Sequence, residues 1–205
     1  MSLDNRTALF EASRFSDYDS VPSIAVQSDG TIAALWSSGD DGSSSVGGIE
    51  GAIFNPDGSL RSGPLEFEPG GISDGGPVTD ASFTALGDDR FIATWDVVSD
   101  ELREGENNPL GVPAGQIFDS NGKPLTGPFA FAEEKPYILP SGPVHVADLG
   151  DNRALAAWIS NNREESGDFR TPRVVGQLID YSGNSIGSPY TIESEGKDGA
   201  SMSDL

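Results

Sequence analysis

Asp29-Gly-Thr-Ile-Ala-Ala-Leu-Trp36 decides the fold, because the chain writes it three times. The second copy is Asp88-Asp-Arg-Phe-Ile-Ala-Thr-Trp95 and the third is Asp151-Asn-Arg-Ala-Leu-Ala-Ala-Trp158. Each is a polar turn followed by an almost unbroken apolar run that ends in Trp. Such a run predicts a strand covered on both faces, since a strand with one wet face would alternate. The chain has three tryptophans, and successive ones lie 59 and 63 residues apart. It is therefore built from a unit of about sixty residues.

Outward from Trp36, the first unit reads as four strands. One covers 23–27, a tight turn at 28–30 follows, and the second strand runs from that turn through Trp36. A loop rich in Ser, Gly and Asp covers 37–48. The third strand is 49–55, the turn Asn55-Pro-Asp-Gly58 reverses the chain, and the fourth is 65–68. Apolar Leu65 and Phe67 alternate there with Glu66 and Glu68, which places that strand at the outside of a sheet with one face wet. The second unit repeats the pattern at 81–86, 90–98, 114–119 and 129–132, and the third at 144–149, 153–160, 174–180 and 190–193. Residues 7–13 resemble the fourth strand of a further unit. The expectation is an all-β, propeller-like repeat protein of three four-stranded antiparallel units plus a leading strand, with no helix. Its parts are 1–21 (leading strand and loop), 22–68, 69–132 and 133–193 (the three units), and 194–205 (a flexible tail).

Loop lengths distinguish the two ends of the sheets. Each turn Asp lies seven residues before its Trp, and Gly51 and Gly58, Gly115 and Gly122, and Gly176 and Gly183 are also seven apart. The second-to-third-strand and unit-to-unit connections vary in length and carry acidic residues. One face is thus made of uniform tight turns, and the other of longer acidic loops where binding residues normally collect.

Composition narrows the function classes. With 33 acidic against 12 basic residues the formal charge is −21, which repels nucleic acid and anionic membranes and attracts cations. Neither a nucleic acid partner nor membrane insertion is expected; no stretch has the roughly 18 to 20 apolar residues of a membrane helix, and the N-terminal residues lack the apolar run of a signal peptide. The absence of cysteine excludes disulfides, thiolate metal sites and a cysteine nucleophile.

The unit Pro22-Ser-Ile-Ala-Val26, Asp29-Gly30, Trp36, Asp41-Gly-Ser43, Gly51 and Phe54-Asn-x-x-Gly58 resembles the tandem repeats of large secreted bacterial proteins of the RTX, or hemolysin-type calcium-binding, kind. Those read roughly P-S-V-A-x-L-x-D-G-x-F-V-V-x-W, then D-G-S, then G-Q-x-F-D-x-x-G. Gly115-Gln-Ile-Phe-Asp-Ser-Asn-Gly122 and Gly176-Gln-Leu-Ile-Asp-Tyr-Ser-Gly183 match the last part. The resemblance covers about residues 10–193 and implies four-stranded, propeller-like blades in an extracellular or cell-surface setting; the N-terminal residues show no cleavable signal, and a cytoplasmic location is the alternative. It does not imply calcium rolls, because the nonapeptide G-G-x-G-x-D is absent.

Candidate chemistry is concentrated in the acidic loops. Asp40, Asp41, Asp100, Glu101, Glu104 and Glu106 are candidate ligands for a hard cation such as calcium, against the plainer reading of an acidic, solvated surface. Turns such as Asn55-x-Asp57-Gly58 and Asp119-x-Asn121-Gly122 have a faint cation-loop look. They lack the further carboxylate such a loop supplies, and Asn, Asp and Gly are what a hairpin with positive φ requires. Tyr18 and Tyr137, with Tyr181, are candidates for stacking on a glycan. Trp36, Trp95 and Trp158 are read as core, and Asp29, Asp88 and Asp151 as turn residues. His145, the single histidine, stands without a nucleophile elbow or a second nitrogen ligand. The expected function is a non-enzymatic binding, adhesion or assembly module that self-associates, with a heteromeric partner as another way to supply further blades; the alternative is a glycan-active enzyme or lectin using the acidic face.

Overall fold

A computed structural model of the chain describes residues 22–37, 49–67, 78–99, 110–131, 137–138, 143–160 and 173–192. They form three antiparallel meanders, one after another. The first joins β1 (Ser23–Val26), β2 (Ile32–Ser37), β3 (Ile49–Phe54) and β4 (Leu60–Ser62) in sequence order. The second joins β5 (Val78–Leu86), β6 (Arg90–Ser99), β7 (Leu110–Asp119) and β8 (Phe129–Ala130), with the short β9 (Tyr137–Ile138) also paired to β7. The third joins β10 (His145–Gly150), β11 (Arg153–Ser160), β12 (Arg173–Asp180) and β13 (Ser185–Ile192). The protein is all-β and propeller-like: β1 and β10, the first strands of the outer sheets, both pack against β5, the first strand of the middle one.

The turns show why these sequences reverse where they do. At the first-to-second-strand hairpins, Asp88 and Asp89, and Asp151 and Asn152, all have φ between 50° and 60°, whereas the first unit places the positive φ on Gly30. Only Gly, Asn and Asp take that conformation readily. The third-to-fourth-strand turns are three copies of one structure. The N–H of Gly58, Gly122 and Gly183 donates to the carbonyl of Asn55, Asp119 and Asp180, and each glycine has φ near +80°.

Each second strand presents two apolar faces, and the two faces of β6 belong to different seams between sheets. Ala33, Leu35 and Ile53 of the first sheet pack with Phe91, Ala93, Trp95 and Phe118 of the second. On the other side of the second sheet, Ile92 and Ile117 pack with Ala154, Ala156, Trp158 and Ile179 of the third. Trp36, Ala34 and Phe54 form a separate buried cluster on the face turned away from the second sheet. By position they are what Trp95, Ala93 and Phe118 are to the first seam.

The fourth strand departs from expectation. In the first unit the strand is β4 (Leu60–Ser62), directly after the turn, and residues 65–67 are outside any strand, although the Leu65 N–H still donates to the Gly51 carbonyl at 2.8 Å. Pro64 has no N–H and interrupts the ladder between the two pieces. In the third unit the same course is one continuous strand, β13, whose pairing with β12 slips in register where Gly187 takes φ +74°. The expected leading strand at 7–13 and the tail at 194–205 lie outside the described residues. No helix among the described residues is long and apolar enough to cross a membrane.

Candidate functional site

Asp96 is the described residue whose chemistry asks most for explanation. It follows Trp95 on β6, near the loop end of the strand, and is 1% exposed. Alternation puts it on the same face as Ile92 and Thr94, at the seam with the third sheet, where the Thr94 hydroxyl donates to the Val144 carbonyl at 3.1 Å. Beside it, the β5–β6 register slips between Thr79 and Ser82, and Asp80 in that bulge has φ +53°. Among the described residues neither carboxylate oxygen of Asp96 has a hydrogen-bond partner. Burial first, and the charge of Asp80 second, push its pKa up to about 8. The group is thus a neutral acid at mildly acidic pH, held in an apolar seam at the end of the sheets that carries the long loops.

Two further pairs of buried polar groups occupy matching positions. Trp95 Nε1 and Gln116 Oε1, and likewise Trp158 Nε1 and Gln177 Oε1, are without partners among the described residues. Trp95 is paired across to Ala114 and Gln116 to Ala93, so each donor and acceptor are diagonal neighbours on one face. The first unit has Ala52 at the equivalent position, and no donor–acceptor pair there.

The residues singled out from sequence distribute as follows. Asp40, Asp41, Asp100, Glu101, Glu104, Glu106 and Tyr18 lie outside the described residues, and Tyr137 opens β9 with its backbone paired to Gly111. Among the described residues no group of three or more acidic or His side chains could hold a metal ion. Asp29, Asp88 and Asp151 occupy hairpin turns. Asp29 accepts from the Thr31 N–H and hydroxyl, and these two bonds lower its pKa. The carboxylates of the other hairpins are also engaged by their own turns: Asp119 Oδ1 accepts from the N–H of Asn121 and Lys123, and Asp180 Oδ1 from those of Ser182 and Asn184. Trp36, Trp95 and Trp158 are 8%, 0% and 0% exposed. Tyr181 is no stacking platform. It is buried, its hydroxyl donates to Asp148, and the Arg90 guanidinium lies 5.7 Å from its ring centre. His145 begins β10, half-buried, at the position that Ser23 and Ser82 hold in the other sheets.

No protein-family model matches this chain, and no curated protein does. Among solved structures, it is similar to the GH43 endo-arabinanase from Bacillus licheniformis, with 14% identity, a TM-score of 0.36 and 78% of this chain covered. The match spans about half (52%) of the arabinanase chain.

Proposed function

We propose that the chain is a non-enzymatic binding and assembly module that self-associates through its β-repeats, in a secreted or cell-surface bacterial system. One observation carries this reading: three sheets pack through two equivalent seams, while Ile24 on β1 and Tyr190 and Ile192 on β13, which stand at seam positions of the outer sheets, stay exposed. Closed propellers have about four to eight blades, so three leave faces to be covered. Tyr190 and Ile192 on the last strand are 45% and 38% exposed, whereas Leu65 and Phe131 at the corresponding positions of the first and second units are buried in seams. The test is the mass in solution by light scattering, against 21.4 kDa for one chain. A multiple of that mass is expected, and a single-chain mass at all concentrations overturns the reading.

Asp96 favours a second reading, a glycan-active protein using the loop end of the sheets. A buried, protonated carboxyl is the equipment of a general acid, and a partner carboxylate about 5 to 9 Å away would complete a glycosidase pair. Hydrolysis of plant or bacterial polysaccharides that is lost in Asp96→Asn would support it. Equal activity in the variant overturns the role of Asp96.

A further inference from the structure

We infer that the partner in this assembly is a second copy of the same chain, docked head to tail, with Tyr190 and Ile192 of one copy seated on Gly58 and Ile24 of the other. The inference rests on the assembly reading and specifies its contact.

The contact can be read twice within the chain. At the first seam, a methyl added to Gly122 in the turn of the second sheet would collide with Leu65 of the first. At the second seam, a methyl on Gly183 in the turn of the third sheet would lie 2.6 Å from the Phe129 ring of the second. In both cases the residue seven places after one sheet's turn glycine covers the turn glycine of the next. Continued once more, the rule sends Tyr190, seven residues after Gly183, to a turn glycine that follows the third sheet. The chain has one such turn left over: among the described residues nothing comes within 4 Å of a methyl placed on Gly58.

The residue two places further on obeys the same rule. Phe67 crosses the first seam to Phe83 on β5, with ring centres 6.3 Å apart, and to Trp95 at the same distance. Phe131 crosses the second to Trp158, at 6.1 Å, in the cluster that also holds Val146 on β10. Ile192 stands in this position on the third sheet. The residue of β1 that corresponds to Phe83 and Val146 is Ile24, which is 63% exposed where Phe83 is 5%. Trp36 and Phe54 are already buried. The docking therefore covers the rim of the first sheet, its strand β1 and its turn at Gly58, and leaves the Trp36 cluster as it is.

Complementarity selects the same chain over an unrelated partner, because the two orphaned halves are halves of one repeated contact and sit at opposite ends of one molecule. Two copies give two such contacts related by a two-fold axis and close a ring of six sheets, within the range of known closed propellers.

The chain has no cysteine, so paired thiols can report the contact. In a double variant Ile24→Cys, Ile192→Cys of the full chain, a short bis-maleimide should convert the protein to a species of two chains on a denaturing gel, and neither single variant should cross-link. Tyr190→Asp, at an exposed position, should reduce the solution mass from two chains to one while the far-ultraviolet circular dichroism spectrum of the fold stays unchanged. A single-chain mass for the unmodified protein overturns both this contact and the assembly reading. A two-chain mass with no cross-link overturns the contact and leaves the assembly reading standing. A ladder of larger cross-linked products overturns the closed ring.

Discussion

At the scale of the residue, Asp96 links pH to stability. Its folded pKa, about 8, lies above the ordinary carboxylate value of 3.8, so between these values the folded chain holds a proton that the unfolded chain has released. Stability then falls as pH rises, since its slope follows the protons bound unfolded minus those bound folded. The contribution is fully present below about pH 4 and lost as pH passes through about 8. Melting temperatures at pH 5, 7 and 9 should therefore decline more steeply in the wild type than in Asp96→Asn, whose amide does not titrate; parallel profiles would mean that Asp96 is hydrated. Trp95 is the second residue with a clear energetic role, being wholly buried against Phe67. Trp95→Ala should cost about 3 to 5 kcal/mol in urea denaturation, as other large core truncations do, and a cost below about 1 kcal/mol would contradict its place in the seam.

At the scale of the element, the third strand depends on its glycines. A methyl on Gly115 would lie 3.0 Å from the Phe131 ring and 3.2 Å from the Ala93 carbonyl, and one on Gly176 would lie 3.1 Å from the Tyr190 ring. The glycine is therefore the floor on which an aromatic side chain from the chain beyond the following turn lies. Gly115→Ala should destabilise by about 1 to 3 kcal/mol through overpacking, read as a lower urea midpoint with unchanged slope. This element was legible in advance because the seven-residue spacing from Gly51, Gly115 and Gly176 to the turn glycines recurs in each unit. The second strands were legible for a similar reason, since their apolar runs have no alternation to misread. The fourth strand was less so: its two pieces pair with the third strand on either side of a break, and a pattern of alternating Leu, Glu and Phe marks the packed piece but not the ladder. Asp96 could not be found from its neighbours in sequence. It falls inside the strand expected at 90–98 with nothing to mark it, and only the bulge at Asp80 and the approach of the third sheet show that the carboxyl is buried without a partner among the described residues.

At the scale of the whole molecule, charge opposes assembly. Two copies each carrying −21 repel one another, and the repulsion is screened over about 10 Å at 0.1 M salt and about 3 Å at 1 M. The contact proposed between Tyr190, Ile192, Gly58 and Ile24 is apolar and gains nothing from charge pairing, so screening removes a cost without removing an attraction. Sodium chloride should therefore tighten association: sedimentation at 0.02 M should show a larger single-chain fraction than at 0.5 M, and the melting temperature should rise with the salt. The opposite trend would mean that ion pairs hold the copies together, as no apolar contact would weaken on screening. Calcium separates screening from binding. If the acidic loop residues, Asp100, Glu101, Glu104 and Glu106 among them, hold a hard cation, millimolar calcium should raise the melting temperature beyond sodium chloride at the same ionic strength, because an ion bound to the native state alone stabilises it. Equal shifts for the two salts would assign the whole effect to screening and leave those carboxylates as a solvated surface.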